Sequence, residues 1–484
     1  MLFNSFQFAI FFPVLIGLYY LIPHRYRWLL LLISSYFFYS FAKVEYIFIL
    51  MGSTLVNYTL GRLMAGTPKE KRKPYMWTGV FLNIGTLFLF KYFNFFSKSA
   101  TSLLGTLNIH QDVPMFELLL PVGISFYTFQ SLAYILDVYN DKVPAERKLH
   151  MFALFTAFFP PLLSGPINRA RDLMPQFKQP HAFDYRNVTQ GLRLILWGLV
   201  KKMVIADNLA VYVNRVYNHV GDYQGIALII ATLFYTVQIY CDFSGYTDMA
   251  RGSARVLGYD LMENFRHPCF SRSLHEFWQR WHISLSTWFR DYVYIPLGGN
   301  RVTKWRWRYN IFITFMVSGL WHGANWTFVI WGALHGLILI LENVTRHFQR
   351  RLADRLFPNK ASKLNQGIQV AITMCMVSFA WIFFRANSIS DAFTIIRKMF
   401  LIDIGDFGLK QSGINIVSIP QFVFLLAMIV LLFSVEMWER RGWVQEQVGN
   451  LPLTVRWTIY TVACWSVLIS GIFGVKQEFI YFQF

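Results

Sequence analysis

Histidines in apolar stretches are the residues of this chain best suited to chemistry. His322 lies in the motif Trp321-His322-Gly323-Ala324-Asn325, which interrupts a long apolar run over residues 309–341. An imidazole is costly in such surroundings unless it faces a protein interior or a water-filled cavity, so His322 is a functional candidate. Imidazole is also the side chain whose proton exchange best suits neutral pH. The alternative role is structural, as a neutral ring that bonds a backbone carbonyl between two helices.

A second histidine, His282, lies in a stretch rich in tryptophan. If residues 276–286 form a helix, the spacing i, i+3, i+4 turns His282 towards the protein interior. The same face would hold Trp278, Trp281, Leu285 and Trp288. A helix lying at a membrane interface with aromatic anchors explains the tryptophans equally well, but not the histidine. His335, 13 positions after His322, is interpreted as a packing partner.

Other familiar catalytic and metal-binding patterns do not occur in the sequence. It contains no glycine-rich phosphate loop, no GxSxG elbow and no HExxH motif, which argues against P-loop, serine-hydrolase and zincin mechanisms. The cysteines, Cys241, Cys269, Cys375 and Cys464, form no CxxC pair. We therefore predict neither a metal site nor a disulfide scaffold.

The composition is that of a membrane protein. Of the 484 residues, 55% are hydrophobic and only 15% are charged, where a soluble domain would have roughly 25% charged residues. The formal net charge is +19, with 45 Lys and Arg against 26 Asp and Glu. These charges lie between apolar runs, as loop charges of a membrane protein do, so the basic balance does not indicate nucleic-acid binding.

Apolar segments that could position the histidines follow one another along the whole chain. We predict an all-α polytopic membrane protein, one integral-membrane domain over 1–484, with about ten full spans and additional re-entrant helices. The run 309–341 is too long for one ordinary span and is interpreted as a helical hairpin that bears His322 at its break. The segment 152–167 contains three prolines and is either re-entrant or a buried connecting loop.

Loop charges predict the orientation of these spans. Basic residues cluster in the loop at 62–73 and in the segment 251–308, whereas the loops at 94–117 and 207–224 are nearly neutral. Because Lys and Arg are retained on the cytoplasmic side, we expect 251–308 to be cytoplasmic, with re-entrant parts, and both termini to lie outside. The first apolar segment lacks the basic start and cleavage site of a signal peptide, so it is interpreted as a retained span.

Polar residues also follow the apolar run 225–240. Asp242, Ser244, Tyr246 and Asp248 lie in the sequence CDFSGYTDM. They could line the mouth of a tunnel, or they could end a helix with local side-chain capping.

Longer motifs around the histidines resemble a known family. FWQRWHISLSTWFRDYVYIPLGGN and GLWHGANWTFVIWGALHG, with QIYCDFSGYTDMARG upstream and EFIYFQF at the end, are similar to the membrane-bound O-acyltransferases. The resemblance is strongest to the bacterial branch that acetylates alginate and peptidoglycan. It covers nearly the whole chain, and the two histidines of the paired motifs are 40 positions apart.

The resemblance implies a fold and a chemistry. The family fold is a ring of tilted helices around a central tunnel, and the family's central histidine matches His322, while its second polar position matches His282. The resemblance implies transfer of an acetyl group from a cytoplasmic thioester, for an exported or cell-wall polysaccharide, at the bacterial inner membrane. Such a reaction needs a base near neutral pH, and His322 is the candidate, with His282 orienting it or the thioester carbonyl.

The implied donor is acetyl-CoA or an acylated carrier protein, with no tightly bound cofactor. Arg266, Arg280 and Arg290 are candidate partners for the phosphates of such a donor. Basic residues are also expected in this segment from the positive-inside rule alone.

The aromatic C-terminal tail, residues 474–484, is expected outside the membrane. Its Tyr481 is either part of an interfacial aromatic belt or a transient acetyl carrier whose phenol reaches His322. In the second case the acetyl group would pass to a periplasmic SGNH-type O-acetyltransferase, with the polysaccharide acceptor engaged indirectly. Membrane lipids are further partners. The alternatives are D-alanyl transfer to teichoic acid, in which a separate small protein supplies the aromatic tail, and a transporter or polymer-export channel.

Overall fold

The computed structural model describes residues 1–109, 113–116, 120–356, 362–401, 416–440, 442, 444–473 and 479–480. All regular structure in these residues is helical, which confirms the all-α prediction. The chain divides into two compact units, Met1–Ile195 with Thr247–Met262, and Leu196–Tyr246 with Glu263–Phe484.

The first unit holds the N-terminal helices. Their bounds are Phe6–Leu21, His24–Ser40, Glu45–Ala65, Lys73–Leu87, Phe93–Thr106, Ile124–Tyr139, Leu149–Ala157, Phe159–Leu162 and Ala170–Phe177, with most of Tyr185–Leu199. The segment 152–167 is buried throughout. Its two adjacent prolines, Pro160 and Pro161, lie in the first turn of the short helix Phe159–Leu162, where a missing backbone N–H is harmless. The burial agrees with both alternatives for this segment, because irregular backbone in a membrane must be covered by protein.

The second unit holds the histidines. Its helices are Asp207–Tyr217, the greater part of Ile226–Val256, Leu274–Arg280, Ile283–Phe289, Lys304–His322, Trp326–Leu356, Lys363–Arg385, Ile389–Lys398, Ile419–Glu439, Val444–Gly449 and Leu453–Ser470. Three π-helical turns also occur among the described residues, at Phe88–Tyr92, Val200–Ala206 and Arg290–Tyr294.

Seven helical segments in the described part of the chain are long and apolar enough to cross a membrane. They are Glu45–Ala65, Lys69–Thr106, Ile226–Val256, Trp326–Gln349, Lys363–Arg385, Ile419–Glu439 and Leu453–Ser470. The helix Phe6–Leu21 is apolar but shorter. These segments support a polytopic membrane protein, while the count of about ten spans and the outward position of both termini stay predictions.

Two helices of the second unit pack unusually closely. Lys304–His322 and Trp326–Leu356 are joined by a break of three residues, and we call them the histidine hairpin. Their contact depends on glycine, because a Cβ at Gly332 would lie 2.2 Å from the backbone oxygen of Phe315. A Cβ at Gly319 would lie 2.3 Å from the backbone oxygen of Phe328. The hairpin holds His322 at the C-terminal end of its first helix.

We expect Gly332→Ala to destabilise the protein, because the new methyl group meets backbone that cannot move aside. The expected loss is about 1–3 kcal/mol or more, as for other overpacked positions. Thermal unfolding of the purified protein in detergent measures it. Gly367→Ala is the matched control, since none of the described atoms lies within 4 Å of its added Cβ. Equal unfolding temperatures for the two variants would contradict a glycine-dependent hairpin.

Candidate active site

His282 lies at a break between two short helices, so residues 276–286 do not form the single helix that their periodicity would allow. The helices are Leu274–Arg280 and Ile283–Phe289. His282 adopts left-handed backbone angles, with φ 44° and ψ 53°. Such a conformation is strained for a residue with a Cβ, at about 1–3 kcal/mol, and it recurs at functional sites. The chain changes direction at this break, and the break therefore fixes the orientation of His282.

Asn264 holds this break in place. Its backbone oxygen accepts a hydrogen bond from the Ile283 N–H at 3.0 Å, and its side-chain Oδ1 accepts one from the Ser284 N–H at 3.3 Å. The start of the second short helix is therefore tied to a segment almost twenty residues earlier, at a position where Asn264 is fully buried. These bonds stabilise the strained geometry of His282, because they satisfy the orphan N–H groups of the helix start.

The two candidate histidines come together in the second unit. The ring centroids of His282 and His322 are 6.2 Å apart, and both side chains are buried. Aromatic rings surround them: the Phe243 centroid is 4.7 Å from His282, and the Trp331 centroid is 4.9 Å from His322. An oxygen that is hydrogen-bonded to a ring nitrogen lies about 4 Å from the centroid of that ring, so centroids 6.2 Å apart are close enough for one reacting oxygen to contact both imidazoles.

His335 packs behind this pair among tryptophans. Its ring centroid is 4.9 Å from Trp331 and 5.1 Å from Trp278, and the side chain is fully buried. Within the described part of the chain, neither ring nitrogen of His335 has a hydrogen-bond partner, and the same holds for the indole nitrogens of Trp278 and Trp331. Buried polar atoms normally have partners, so these nitrogens could bind a polar group of a ligand.

Sequence reasoning missed a buried group of charges near the site. Lys202 Nζ lies 2.5 Å from Asp242 Oδ1 and 2.9 Å from Asp207 Oδ1, and all three side chains are about 5% exposed or less. Asp242 lies within the 31-residue helix Ile226–Val256, so the alternative that CDFSGYTDM ends a helix is wrong. The available signal was a pair of lysines, Lys201 and Lys202, at the end of the apolar run 188–206.

Two residues of the C-terminal tail lie in the same region. Of residues 474–484 the structure describes Phe479 and Ile480, and both are buried, at 2% and 5% exposure. The Phe479 ring packs 5.8 Å from Phe243, which itself contacts His282. Tyr481 lies outside the described residues.

Comparison with known proteins identifies the family. Residues 146–386, which include His282 and His322, match the model of the membrane-bound O-acyltransferase family. A probable alginate O-acetylase of Pseudomonas aeruginosa is 40% identical over 434 residues, which are 89% of this chain and 80% of that protein. The chain belongs to the membrane-bound O-acyltransferase family. It is therefore a multi-pass membrane enzyme that transfers acyl groups to oxygen.

Other relatives of this O-acyltransferase differ in their named substrates. A peptidoglycan O-acetyltransferase of Helicobacter pylori is 34% identical over 76% of this chain and 73% of its own length. A teichoic acid D-alanyltransferase of Bacillus subtilis is 28% identical over 49% of this chain and 62% of its own length. The similarity to the acetylating relatives is thus both higher and more extensive.

The three arginines proposed for the donor of this O-acyltransferase each contact a nearby carboxylate. The pairs are Arg266 with Glu263 at 2.8 Å, Arg280 with Glu276 at 2.5 Å and Arg290 with Asp291 at 2.8 Å. Arg266 and Arg290 are largely exposed, whereas Arg280 is mostly covered. A phosphate would have to share or displace these carboxylates, so the geometry leaves their role in donor binding a prediction.

A histidine beside these arginines is neutral at physiological pH. Burial, and then the guanidinium groups of Arg280 and Arg440, lower the pKa of His267 to about 4. Its backbone oxygen accepts a hydrogen bond from Arg280 at 3.4 Å. His267 therefore adds no positive charge for a donor phosphate at pH 7.

Proposed function

We propose that this enzyme takes an acetyl group from a cytoplasmic thioester and passes it across the inner membrane for O-acetylation of an exported or cell-wall polysaccharide. The polysaccharide is alginate-like or peptidoglycan. The observation that carries the proposal is the buried His282–His322 pair, 6.2 Å apart, within the region that matches the family. The named activities of the alginate O-acetylase and peptidoglycan O-acetyltransferase relatives support an acetyl group as the cargo.

His322 serves as the base in this proposal. The acceptor oxygen attacks the thioester carbonyl while its proton moves to the His322 imidazole. The carbon–sulfur bond then breaks, the carbon–oxygen bond of the new ester remains, and the leaving thiolate takes the proton from His322. His282 orients the thioester carbonyl, where a positioned donor stabilises the negative charge that develops on oxygen.

The first acceptor is the phenol of Tyr481. A phenol has a pKa near 10, so an imidazole can activate it, and its ester is reactive enough to pass the acetyl group on. Burial of Phe479 and Ile480 beside Phe243, the neighbour of His282, supports a tail that reaches the site. The acetyl group then moves to a serine of a periplasmic SGNH-type O-acetyltransferase, which modifies the polysaccharide.

The donor is acetyl-CoA or an acylated carrier protein. Both present their acyl group on an arm with amide groups, and the buried nitrogens of Trp278, Trp331 and His335 could bind such amides. Arg266, Arg280 and Arg290 are proposed for the donor phosphates, in exchange for their carboxylate partners.

A donor comparison tests the function. Inverted membrane vesicles that contain the enzyme should release free thiol from acetyl-CoA faster than vesicles from cells without it. The same vesicles should not consume a D-alanyl carrier thioester, because the similarity to D-alanyltransferases covers only about half the chain. Cells that lack the enzyme should produce normal amounts of polysaccharide with little O-acetyl. Thiol release from the D-alanyl carrier alone would instead favour teichoic acid as the acceptor.

A further inference from the structure

The buried charges Lys202, Asp207 and Asp242 are an unusual feature of an apolar interior. Moving such groups out of water is costly, and removing one partner leaves a charge uncompensated. Lys202 can be neutralised by either carboxylate alone, yet both lie within 2.9 Å of its ammonium group. The neighbouring Lys201 is buried as well, at 5% exposure, so two lysines accompany the two carboxylates.

Asp242 also makes a contact outside this group of charges. Its Oδ2 accepts a hydrogen bond from the backbone N–H of Ile480 at 2.9 Å, across 238 positions of sequence. Its Oδ1 faces Lys202, so the two carboxylate oxygens hold two different parts of the molecule. Hydrogen bonds to an ionised carboxylate are about twice as strong as neutral ones.

Neighbouring residues pack around the hydrogen bond between Asp242 and Ile480. The Phe479 ring packs against Tyr246 at 4.8 Å and against Phe243 at 5.8 Å, both on the same helix as Asp242. Lys202 lies in the π-helical turn Val200–Ala206. Gly245 allows this turn to approach, since a Cβ there would lie 3.0 Å from the backbone nitrogen of Lys202. One turn of the helix thus carries both the anchor for the tail and, through Phe243, a contact to His282.

We infer that Asp242, held by Lys202, is a positioning residue that docks residues 479–480 of the C-terminal tail of the same chain beside the histidines. The docked group is a backbone N–H, so Asp242 binds the main chain of the tail at Ile480 rather than one of its side chains. Tyr481 follows Ile480 directly in the sequence. The catalytic benefit of the docking rests on the proposed function, in which Tyr481 accepts the acetyl group. The docking itself is independent of that function.

Cysteine labelling tests the docking independently of acetyl transfer. In full-length protein with Ile480→Cys, the exposed Cys375 and Cys464 are replaced by serine, while the buried Cys241 and Cys269 remain. The introduced thiol should react slowly with a maleimide in native membranes. Asp242→Ala should speed its reaction about tenfold or more, since it removes a charge-assisted hydrogen bond. Asp242→Asn should restore most of the protection, because its amide oxygen still accepts the N–H bond.

Asp207→Ala is the matched control. It removes a carboxylate from the same lysine but leaves Asp242 in place, so the introduced thiol should stay protected. If Asp242→Ala and Asp207→Ala exposed this thiol equally, the effect would be general loosening and the inference would be overturned. Unchanged protection in Asp242→Ala would overturn it as well.

A backbone variant links the docking to the reaction. Ile480→Pro removes the N–H that Asp242 accepts, whereas Ile480→Val keeps it. We expect Ile480→Pro and Asp242→Ala each to lower the rate of acetyl transfer at saturating donor at least tenfold, without raising the KM for the donor. The double variant should transfer acetyl groups at nearly the same rate as either single variant, because both substitutions remove the same hydrogen bond. If Asp242→Ala exposed the introduced thiol to maleimide but left acetyl transfer unchanged, the result would support the docking and contradict Tyr481 as the acceptor.

Discussion

Replacing His322 by alanine should lower polysaccharide acetylation by a factor of about 10² to 10⁴, the usual contribution of a positioned base. The protein should still insert and accumulate, because the hairpin contact depends on Gly319 and Gly332 rather than on the imidazole. Acetyl released from purified polysaccharide by mild alkali measures the effect, and immunoblotting of membranes measures the amount of enzyme.

The matched control for this variant is His347→Ala. His347 lies on the second helix of the histidine hairpin, Trp326–Leu356, but it is exposed to the surroundings, whereas His322 is buried. Its removal should leave acetylation unchanged. His282→Ala should also be severe, with part of its effect on folding, since His282 occupies the strained break between two helices. Normal acetyl content in the His322→Ala strain would rule out His322 as the base.

Tyr481→Phe should stop polysaccharide acetylation almost completely. The substitution keeps the aromatic ring and any anchoring at a membrane interface, but it removes the hydroxyl that would carry the acetyl group. In the wild-type enzyme, a short incubation with radiolabelled acetyl-CoA should leave acid-stable, alkali-labile label on the chain itself. That label should be absent from the Tyr481→Phe enzyme.

Two comparisons make the result specific. Tyr185→Phe removes the hydroxyl of an exposed tyrosine elsewhere in the chain and should have no effect. When Tyr481→Phe is combined with Ile480→Cys, the introduced thiol should remain protected from maleimide, because the bond from residue 480 to Asp242 does not involve the phenol. Full acetylation by a stably expressed Tyr481→Phe enzyme would leave the tail with an anchoring role only.

The family and the reaction class could be predicted from sequence because they depend on motifs that are local. The WHIS and WHG motifs each lie within a few consecutive residues, and an imidazole in an apolar stretch indicates function wherever it finally lies. Hydropathy similarly predicts an all-helical membrane protein, since every backbone polar group in lipid must be satisfied within its own segment. The comparisons confirm the family.

The spacing of the apolar residues was not enough to predict the backbone around His282. The pattern of tryptophans from Trp278 to Trp288 fits one amphipathic helix, yet the chain breaks at Trp281 and His282. The cause is tertiary: Asn264, distant in sequence, bonds the backbone on the far side of the break. A local sequence pattern contains no information about a partner from another segment. It therefore indicates the helix that this stretch would form in isolation.

The membrane class and the acyltransferase family thus follow from the sequence, which also predicts His282 and His322 as the candidate pair. The folded chain was needed to show that Asp242 lies inside a long helix, beside Lys202 and Asp207, and that it accepts a hydrogen bond from Ile480. The difference lies in the range of the interactions. Motifs and hydropathy follow from neighbouring residues, whereas a buried carboxylate is satisfied by whichever charges and N–H groups the folded chain brings to it.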